Sequence, residues 1–343
     1  MKRLRLLLFP LGLCYGAVSA LRNFFYDSGI LKTFKIPAKS ITVGNLSTGG
    51  TGKTPLVDYI LEHFSKLEYR VTALSRGYGR ATRGVIVADQ NTTSQEIGDE
   101  PQLYKFRHRD SINVVVAEKR KQGVELILNR FPKNELIVLD DAFQHRAVTA
   151  GLSILTTTFS DLYTNDHILP VGNLREYNSG AQRADMIVVT KCPSEMNAEE
   201  MNRIKKKLNF DTDSIFFSSI EYTDLVPFQS RKDDKKQHIL LVTGIANPKP
   251  LIDHLSKIGQ VTHLKFSDHH DFSSADIDEI HDKFGTFATH DKIVVTTEKD
   301  FMRLKNFNAV INTSVPWYYQ PIAIKMYQET QFKKRLEEYV AKF

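Results

Sequence analysis

Cysteine is scarce in this sequence: 343 residues carry only Cys14 and Cys192. Two thiols make neither a disulfide framework nor a four-thiol zinc site, and both read as packing residues of a reducing compartment. One-sided charge is scarce as well. Lys and Arg number 46 against 40 Asp and Glu, spread along the chain with no basic block. That excludes a nucleic-acid arm and leaves a smaller anionic partner: a nucleotide, a phosphorylated substrate or an anionic lipid surface. There is no internal repeat at short period and no low-complexity tract. The one long apolar stretch, near the N-terminus, is broken by Pro10 and too short for a membrane span. With 41% hydrophobic and 25% charged residues, the chain is that of a folded globular protein, long enough for two domains.

Two readings fit the N-terminal stretch. Lys2, Arg3 and Arg5 precede the run LLLFPLGLCYGAVSA, which reads as a secretory signal with a small-residue site at Val18-Ser19-Ala20. Residues 1–30 also read as an apolar helical segment lying in a membrane interface. There Leu21, Phe24, Phe25 and Tyr26 supply bulk beside Arg22.

From residue 31 onward, short apolar strands alternate with helical stretches, the pattern of an α/β protein with a largely parallel sheet. Strands are expected at SITVG, RVTALS, VIVA, INVVVA, ELIVLD, LSILT and MIVVT, with helices at 118–129 and 198–208 among them. The polar stretch QSRKDDKKQ, from Gln229, interrupts the pattern. It restarts at His238 with HILLVTG, QVTHLKF, SSADIDEIHDKF and KIVVTT, and closes with the amphipathic FKKRLEEYVAKF. The expected organisation is a larger domain over 31–225, a linker over 226–237, and a smaller α/β domain over 238–343 that includes the closing helix.

The segment VGNLSTGGTGKTP, Val43 to Pro55, follows a strand and opens a helix, the context a phosphate-binding P-loop requires. Gly49, Gly50 and Gly52 let backbone N–H groups face phosphate oxygens, and the helix N-terminus adds its positive dipole end. Lys53 is placed to reach the β- and γ-phosphates of ATP, and the Thr54 hydroxyl to sit on Mg²⁺. The candidate nucleotide set is Asn45, Ser47, Thr48, Gly49, Gly50, Thr51, Gly52, Lys53 and Thr54, in a P-loop NTPase-like α/β/α sandwich. The spacing is a variant, with Ser47 where the strict pattern has glycine and Gly44 further back. An ATP-using enzyme works where ATP is, so residues 1–30 are expected to form an interfacial helical segment and not a cleaved signal.

Further motifs surround this loop. ELIVLDDAFQH ends an apolar strand in Asp140-Asp141, where a Mg²⁺-supporting acid belongs in P-loop enzymes. Two acids capping a turn is the plainer alternative; the upstream P-loop favours metal support. Gln144 and His145 continue the same loop. In IGDEPQL, Asp99 is either a helix N-cap or a general base for an attacking hydroxyl, and the residues leave both open. SRGYGR sets Arg76 and Arg80 on a Gly-rich loop after a strand, as anion contacts or as a solvated turn. LPVGNLRE puts Arg175 and Glu176 in a loop. FSDHHDF gathers Asp268, His269, His270 and Asp271 without zinc-ligand spacing, so a His–carboxylate pair for proton transfer is the more economical reading. TEKDFMRL opens a helix at Lys299-Asp300 after a strand, again a ligand position.

Together these segments resemble one family, the tetraacyldisaccharide 4′-kinases. FPLGLCYGAVSALRNFFYDSG, ITVGNLSTGGTGKTP, SRGYGR, GDEP, LDDAFQH, LPVGNLRE, ADMIVVTKC, VTGIANP, FSDHHDF and TEKD occur in the family's order and cover nearly the whole chain. The variant P-loop spacing is the family's own. The resemblance implies an enzyme that uses ATP and Mg²⁺ to phosphorylate the 4′-hydroxyl of a tetraacylated glucosamine disaccharide 1-phosphate in lipid A biosynthesis. It implies a peripheral position at the cytoplasmic face of a Gram-negative inner membrane, and two α/β domains joined by a short β-linker with the active site between them. It implies Asp99 as the base with His269 as its partner, and Thr54, Asp140 and Asp141 at the metal and phosphates. Lys53 then neutralises charge on the transferred group, and Arg76, Gln144, Arg175 and Glu176 are the substrate-side candidates. Two departures are local: Ala142-Phe143 stands where Gly-Leu is common, and Asn173 and Tyr177 where a small residue and a proline are usual.

Rival readings explain less. A membrane-associated P-loop ATPase or GTPase switch acting on a protein partner would carry a lysine just before the paired glycines, where this chain has Thr48. It would also leave SRGYGR, GDEP and the paired histidines unexplained. A small-metabolite kinase has no use for the apolar N-terminus.

Overall fold

The computed structural model describes residues 5–229 and 237–342, so Lys2, Arg3 and most of the QSRKDDKKQ stretch lie outside the described residues. The chain divides into two compact units: Met1–Glu221 with Ile324–Phe343, and Tyr222–Ala323. The first ten strands are β1 (Phe34–Lys35), β2 (Ser40–Asn45), β3 (Val71–Ser75), β4 (Ile86–Val87), β5 (Ile112–Val116), β6 (Leu136–Asp140), β7 (Val148–Thr149), β8 (Leu152–Thr158), β9 (Met186–Cys192) and β10 (Ile215–Tyr222). There follow β11 (Val226–Pro227), β12 (His238–Thr243), β13 (Gln260–Lys265), β14 (Lys292–Thr297) and β15 (Trp317–Gln320), and β16 (Ile322–Met326) returns to the larger unit.

The main sheet of the larger unit has the order β16-β10-β9-β8-β2-β6-β3-β5-β4. The pairs from β10 through β5 run parallel, and β4 lies antiparallel to β5 at the edge. Every residue of β2, β3 and β6 is buried, as parallel strands covered on both faces require. From β2 the chain builds outward through β3, β5 and β6 on one side, then through β8, β9 and β10 on the other. The carboxyl end of β2 is therefore a topological switch point, where open α/β sheets hold their ligands.

One face of the sheet is covered by the P-loop helix, Lys53–Lys66, through Leu56, Val57, Ile60, Leu61 and Phe64. The same cluster contains Phe332, Leu336 and Val340 of the closing helix, Glu329–Ala341. The closing helix thus belongs to the larger unit and not, as expected, to the smaller domain. Three fully buried side chains at about 2 kcal/mol each anchor it there. The opposite face is covered by Val124 and Ile127 of helix Arg120–Arg130, packed with Leu74, Val115, Ile137 and Leu139.

The smaller unit is a five-stranded sheet of order β11-β15-β14-β12-β13, parallel except where β11 meets β15. Its core includes Leu240, Val242, Ile277, Ile280, Val294 and Trp317. The segment expected to begin a linker starts as an edge strand instead, with Val226 and Pro227 in register with Tyr319 and Tyr318.

Candidate active site

The P-loop leaves the end of β2 and closes on Gly52, the helix N-cap, whose φ of +79° a residue with a side chain adopts only under strain. Lys53 and Thr54 are the first two helical residues. The loop is pinned to its neighbours. Thr51 Oγ1 lies 2.8 Å from Thr156 Oγ1 of β8, and the Thr51 carbonyl accepts from Thr190 Oγ1 at 2.7 Å. The Gly50 carbonyl accepts from Lys191 Nζ at 2.6 Å, and Thr48 N–H donates to the Asn173 carbonyl at 2.7 Å. Ser47 forms an isolated bridge with Leu174. The residue that departs from the strict glycine pattern therefore ties the P-loop to the LPVGNLRE loop.

Acids crowd the start of this helix. Lys53 Nζ donates to Asn45 Oδ1 at 3.2 Å and lies 3.4 Å from Asp141 Oδ1. Thr54 Oγ1 donates to Glu100 Oε1 at 3.4 Å. The two acids at the end of β6 diverge, because Asp141, just past the strand, takes a φ of +49°. Asp140 turns inward and is buried; Asp141 stays half-exposed, with Arg175 Nη1 3.7 Å from its Oδ2. Burial pushes the Asp140 carboxyl up to about 7, helped by the charges of Glu100 and Asp141 and opposed by Lys53 and by the hydrogen bond from Tyr104. Tyr104 Oη donates to Asp140 Oδ2 at 2.9 Å, and Arg120 Nη2 donates to the Asp140 carbonyl at 3.1 Å. Burial lowers the Arg120 guanidinium to about 10. In the loop beyond, the backbone and Cβ of Phe143 pass so close to Gly44 that β2 has no room for a side chain there.

Asp99 begins helix Asp99–His108 as its first helical residue. The N-cap is Gly98, at a φ of +90°, where an added Cβ would lie 2.9 Å from the Tyr78 carbonyl. The N-cap alternative for Asp99 is thereby excluded, and the GDEP turn abuts the SRGYGR loop. Within that loop the two arginines part. Arg80 is turned inward, donating to Glu118 Oε1 and the Gly84 carbonyl at 2.5 Å each, while Arg76 is exposed. Burial lowers the basicity of His145, as do the nearby cations Arg120, Arg22 and Arg76.

The LPVGNLRE loop carries Arg175 toward the site, its Nη1 donating to Gln144 Oε1 at 3.2 Å. Glu176 does not join it. The side chain is buried and accepts from Asn23 Nδ2 at 2.7 Å and Arg183 Nη2 at 2.8 Å. Asn23 belongs to the N-terminal helix, Phe9–Asp27, which packs Gly12 near Val171 and Gly16 against Tyr177. The helix also reaches the site directly, where Arg22 Nη2 donates to the Gln144 carbonyl at 3.3 Å. Tyr177, a departure from the usual proline, packs on this helix, and Arg5 reaches the other departure, Asn173, at 3.1 Å. Leu11, Leu13, Cys14, Val18, Leu21 and Phe24 remain exposed on its outer side. Among the described residues no helix is long and apolar enough to cross a membrane.

In the smaller unit the VTGIANP, FSDHHDF and TEKD motifs form one network. Asp300 is fully buried, and its Oδ2 accepts from Gly244 N–H at 3.0 Å and Thr297 Oγ1 at 2.7 Å. Arg303 lies 3.6 Å from Asp300 Oδ1 and donates to the His270 carbonyl and to His269 Nδ1, both at 3.1 Å. Asp300 thus ties the turn at Gly244 to the start of the TEKD helix. His270 pairs with Asp276 at 3.1 Å. Among the described residues no group of three or more His, Cys, Asp or Glu side chains is arranged to hold a metal.

The sequence profile of the family described as LpxK, tetraacyldisaccharide-1-P 4′-kinase, matches residues 4–341. The chain belongs to this family. A tetraacyldisaccharide 4′-kinase of Flavobacterium johnsoniae is 41% identical over 94% of this chain and 93% of its own length. One from Bacteroides thetaiotaomicron is 39% identical over 95% of this chain and 90% of its own length. The crystal structure of LpxK from Aquifex aeolicus in complex with ATP has a TM-score of 0.76 at 28% identity, covering 98% of this chain and 99% of that one. The chain is thus a kinase of bacterial lipid A biosynthesis, and the substrate of its family is a tetraacyldisaccharide 1-phosphate. Some residues that build the family's site here have no marker in the sequence. Tyr104 and Arg183 lie in no quoted motif, whereas Asn23 lies inside FPLGLCYGAVSALRNFFYDSG, Lys191 inside ADMIVVTKC and Glu100 inside GDEP.

Proposed function

We propose that the family's phosphoryl transfer occurs in this chain at the carboxyl ends of β2 and β6, with ATP phosphates on the P-loop and the lipid acceptor still in the membrane. One observation carries the reading. The Asp141 carboxylate stands between Lys53 Nζ at 3.4 Å and Arg175 Nη1 at 3.7 Å. The phosphate-binding loop and the loop beside the N-terminal helix thus meet at a single acid.

The residues present fit Mg²⁺. Thr54, Asp140 and Asp141 would hold it with hard oxygen donors, and Mg²⁺ is usually bound by one or two carboxylates plus substrate phosphates, not by an all-protein cage. The crowding of Asp140 by Glu100 and Asp141 favours a cation there. The buried Asn45 Nδ2, which has no partner among the described residues, favours an acceptor such as a phosphate oxygen nearby. When bound, the ion neutralises charge on the transferring phosphoryl group.

Lys53, fixed at the helix start, stabilises the same developing charge. Asp99 accepts the proton of the attacking 4′-hydroxyl. Because an arginine only donates, His269 Nδ1 must accept from Arg303, so the neutral ring carries its proton on Nε2. Arg76, Arg175 and Gln144 orient the anionic acceptor. Glu176 serves the site by holding Asn23.

The outer face of the N-terminal helix rests on the bilayer at its cytoplasmic face, where ATP is available. Each CH₂ withdrawn from lipid costs about 0.8 kcal/mol, so a four-chain acceptor reacts at the interface and is not extracted. Asp99→Ala tests the mechanism: kcat should fall by roughly 10²–10⁴ while ATP affinity persists. Normal turnover in that variant would remove Asp99 from the reaction.

A further inference from the structure

We infer that Tyr104 is a positioning residue for the metal-side acid Asp140, and that through it the helix beginning with Asp99 is indexed to the metal site. The inference rests on the reading of Asp140 and Thr54 as Mg²⁺-side groups.

Tyr104 is fully buried among apolar side chains, in the cluster that includes Leu56, Ile60 and Val138. Phenylalanine would pack there equally well, and a hydroxyl taken out of water is costly unless it is bonded. Here it is bonded, donating to Asp140 Oδ2 at 2.9 Å. A tyrosine hydroxyl aimed at one carboxylate oxygen fixes the plane of that carboxylate and leaves Oδ1 for another partner. Arg120 fixes the backbone of the same residue through its carbonyl at 3.1 Å. Asp140 is thus held at both ends before any ion arrives, which is how outer partners of a ligating carboxylate raise metal affinity.

The same helix makes a second tether. Glu100, next to Asp99, receives the Thr54 hydroxyl at 3.4 Å. Helix Asp99–His108 therefore touches both Thr54 and Asp140 through its own side chains. Any rearrangement of those groups around an ion acts on the helix that bears Asp99.

The test is Tyr104→Phe, followed by Mg²⁺ titration of a fluorescent, non-hydrolysable ATP analogue. The Mg²⁺ concentration for half-maximal binding should rise by about 10-fold or more, the usual cost of losing an outer-shell partner. Binding of the analogue in EDTA should not change, a split that a merely structural role would not produce. A folded variant with wild-type Mg²⁺ dependence overturns the inference. A second measurement needs no deletion. With 3-fluorotyrosine placed at position 104, its ¹⁹F resonance should move when Mg²⁺ is added to the nucleotide-bound protein, and a resonance indifferent to Mg²⁺ also overturns the inference. If the wild-type protein itself binds the analogue without regard to Mg²⁺, the metal reading beneath the inference fails; if the wild type depends on Mg²⁺ and folded Tyr104→Phe depends on it equally, the Tyr104 role alone fails.

Discussion

Asn23 Nδ2, near the C-terminal end of the helix Phe9–Asp27, donates to the buried Glu176 Oε2 at 2.7 Å. The neighbour of Glu176 in sequence is Arg175, which reaches Asp141. The helix with the exposed apolar face and the loop that carries Arg175 are consequently one construction, and disturbing either should disturb both. Asn23→Ala removes a hydrogen bond to a charged group, worth about 1.5–3 kcal/mol. Residues 9–27 should exchange amide hydrogen faster, and KM for the lipid acceptor should rise several-fold with KM for ATP unchanged. Equal effects on both substrates would argue for general destabilisation.

Cys14 lies on the outer side of that helix and Cys192 is buried, its thiol pushed up by burial to about 12. At pH 8 a thiol of that acidity is thiolate about once in ten thousand molecules, so a thiol reagent should titrate one cysteine in the native protein and two after denaturation. Anionic vesicles should slow the reaction of Cys14 strongly. Undiminished reactivity with vesicles in excess would mean that this face does not rest on lipid.

Much of the fold was legible because period and punctuation are local. The helix Ala198–Leu208 and the strand Lys292–Thr297 lie where the pattern put them. The closing helix was legible as a helix but not as a partner of the larger unit, since an amphipathic pattern says that a face is buried and not which sheet covers it. The same limit applies in the site. The P-loop is contiguous, and its chemistry reads directly from Gly49 to Thr54. The bond from Tyr104 to Asp140 spans 36 positions and that from Asn23 to Glu176 spans 153, and no local pattern marks such pairs. Glu176 could be placed in a loop, but which way its side chain turns was decided by Asn23 and Arg183.

Asp58, on the P-loop helix, ties that helix to the far end of helix Asp99–His108. Its Oδ1 lies 2.8 Å from His108 Nε2, and Arg107 pairs with Oδ2. Burial alone would raise the Asp58 carboxyl; the hydrogen bond from His108 and the charge of Arg107 outweigh it and hold it below the ordinary 3.8. A group depressed on folding stabilises fully above its unfolded value, and that stabilisation is lost as pH falls through the folded value. Asp58→Asn should therefore cost about 3 kcal/mol at pH 7. The gap from wild type should close in denaturant titrations carried below pH 3.8. A gap independent of pH would place the loss in packing and not in the charge.

The most direct measurement follows label from γ-³²P ATP into a tetraacyldisaccharide 1-phosphate presented in mixed micelles with Mg²⁺. The expected result is a labelled lipid whose new phosphate sits at the 4′-position, formed by the wild-type chain and lost in Lys53→Ala. ATP consumption with no labelled lipid, or label on the lipid undiminished in Lys53→Ala, would contradict a transfer that runs through this P-loop.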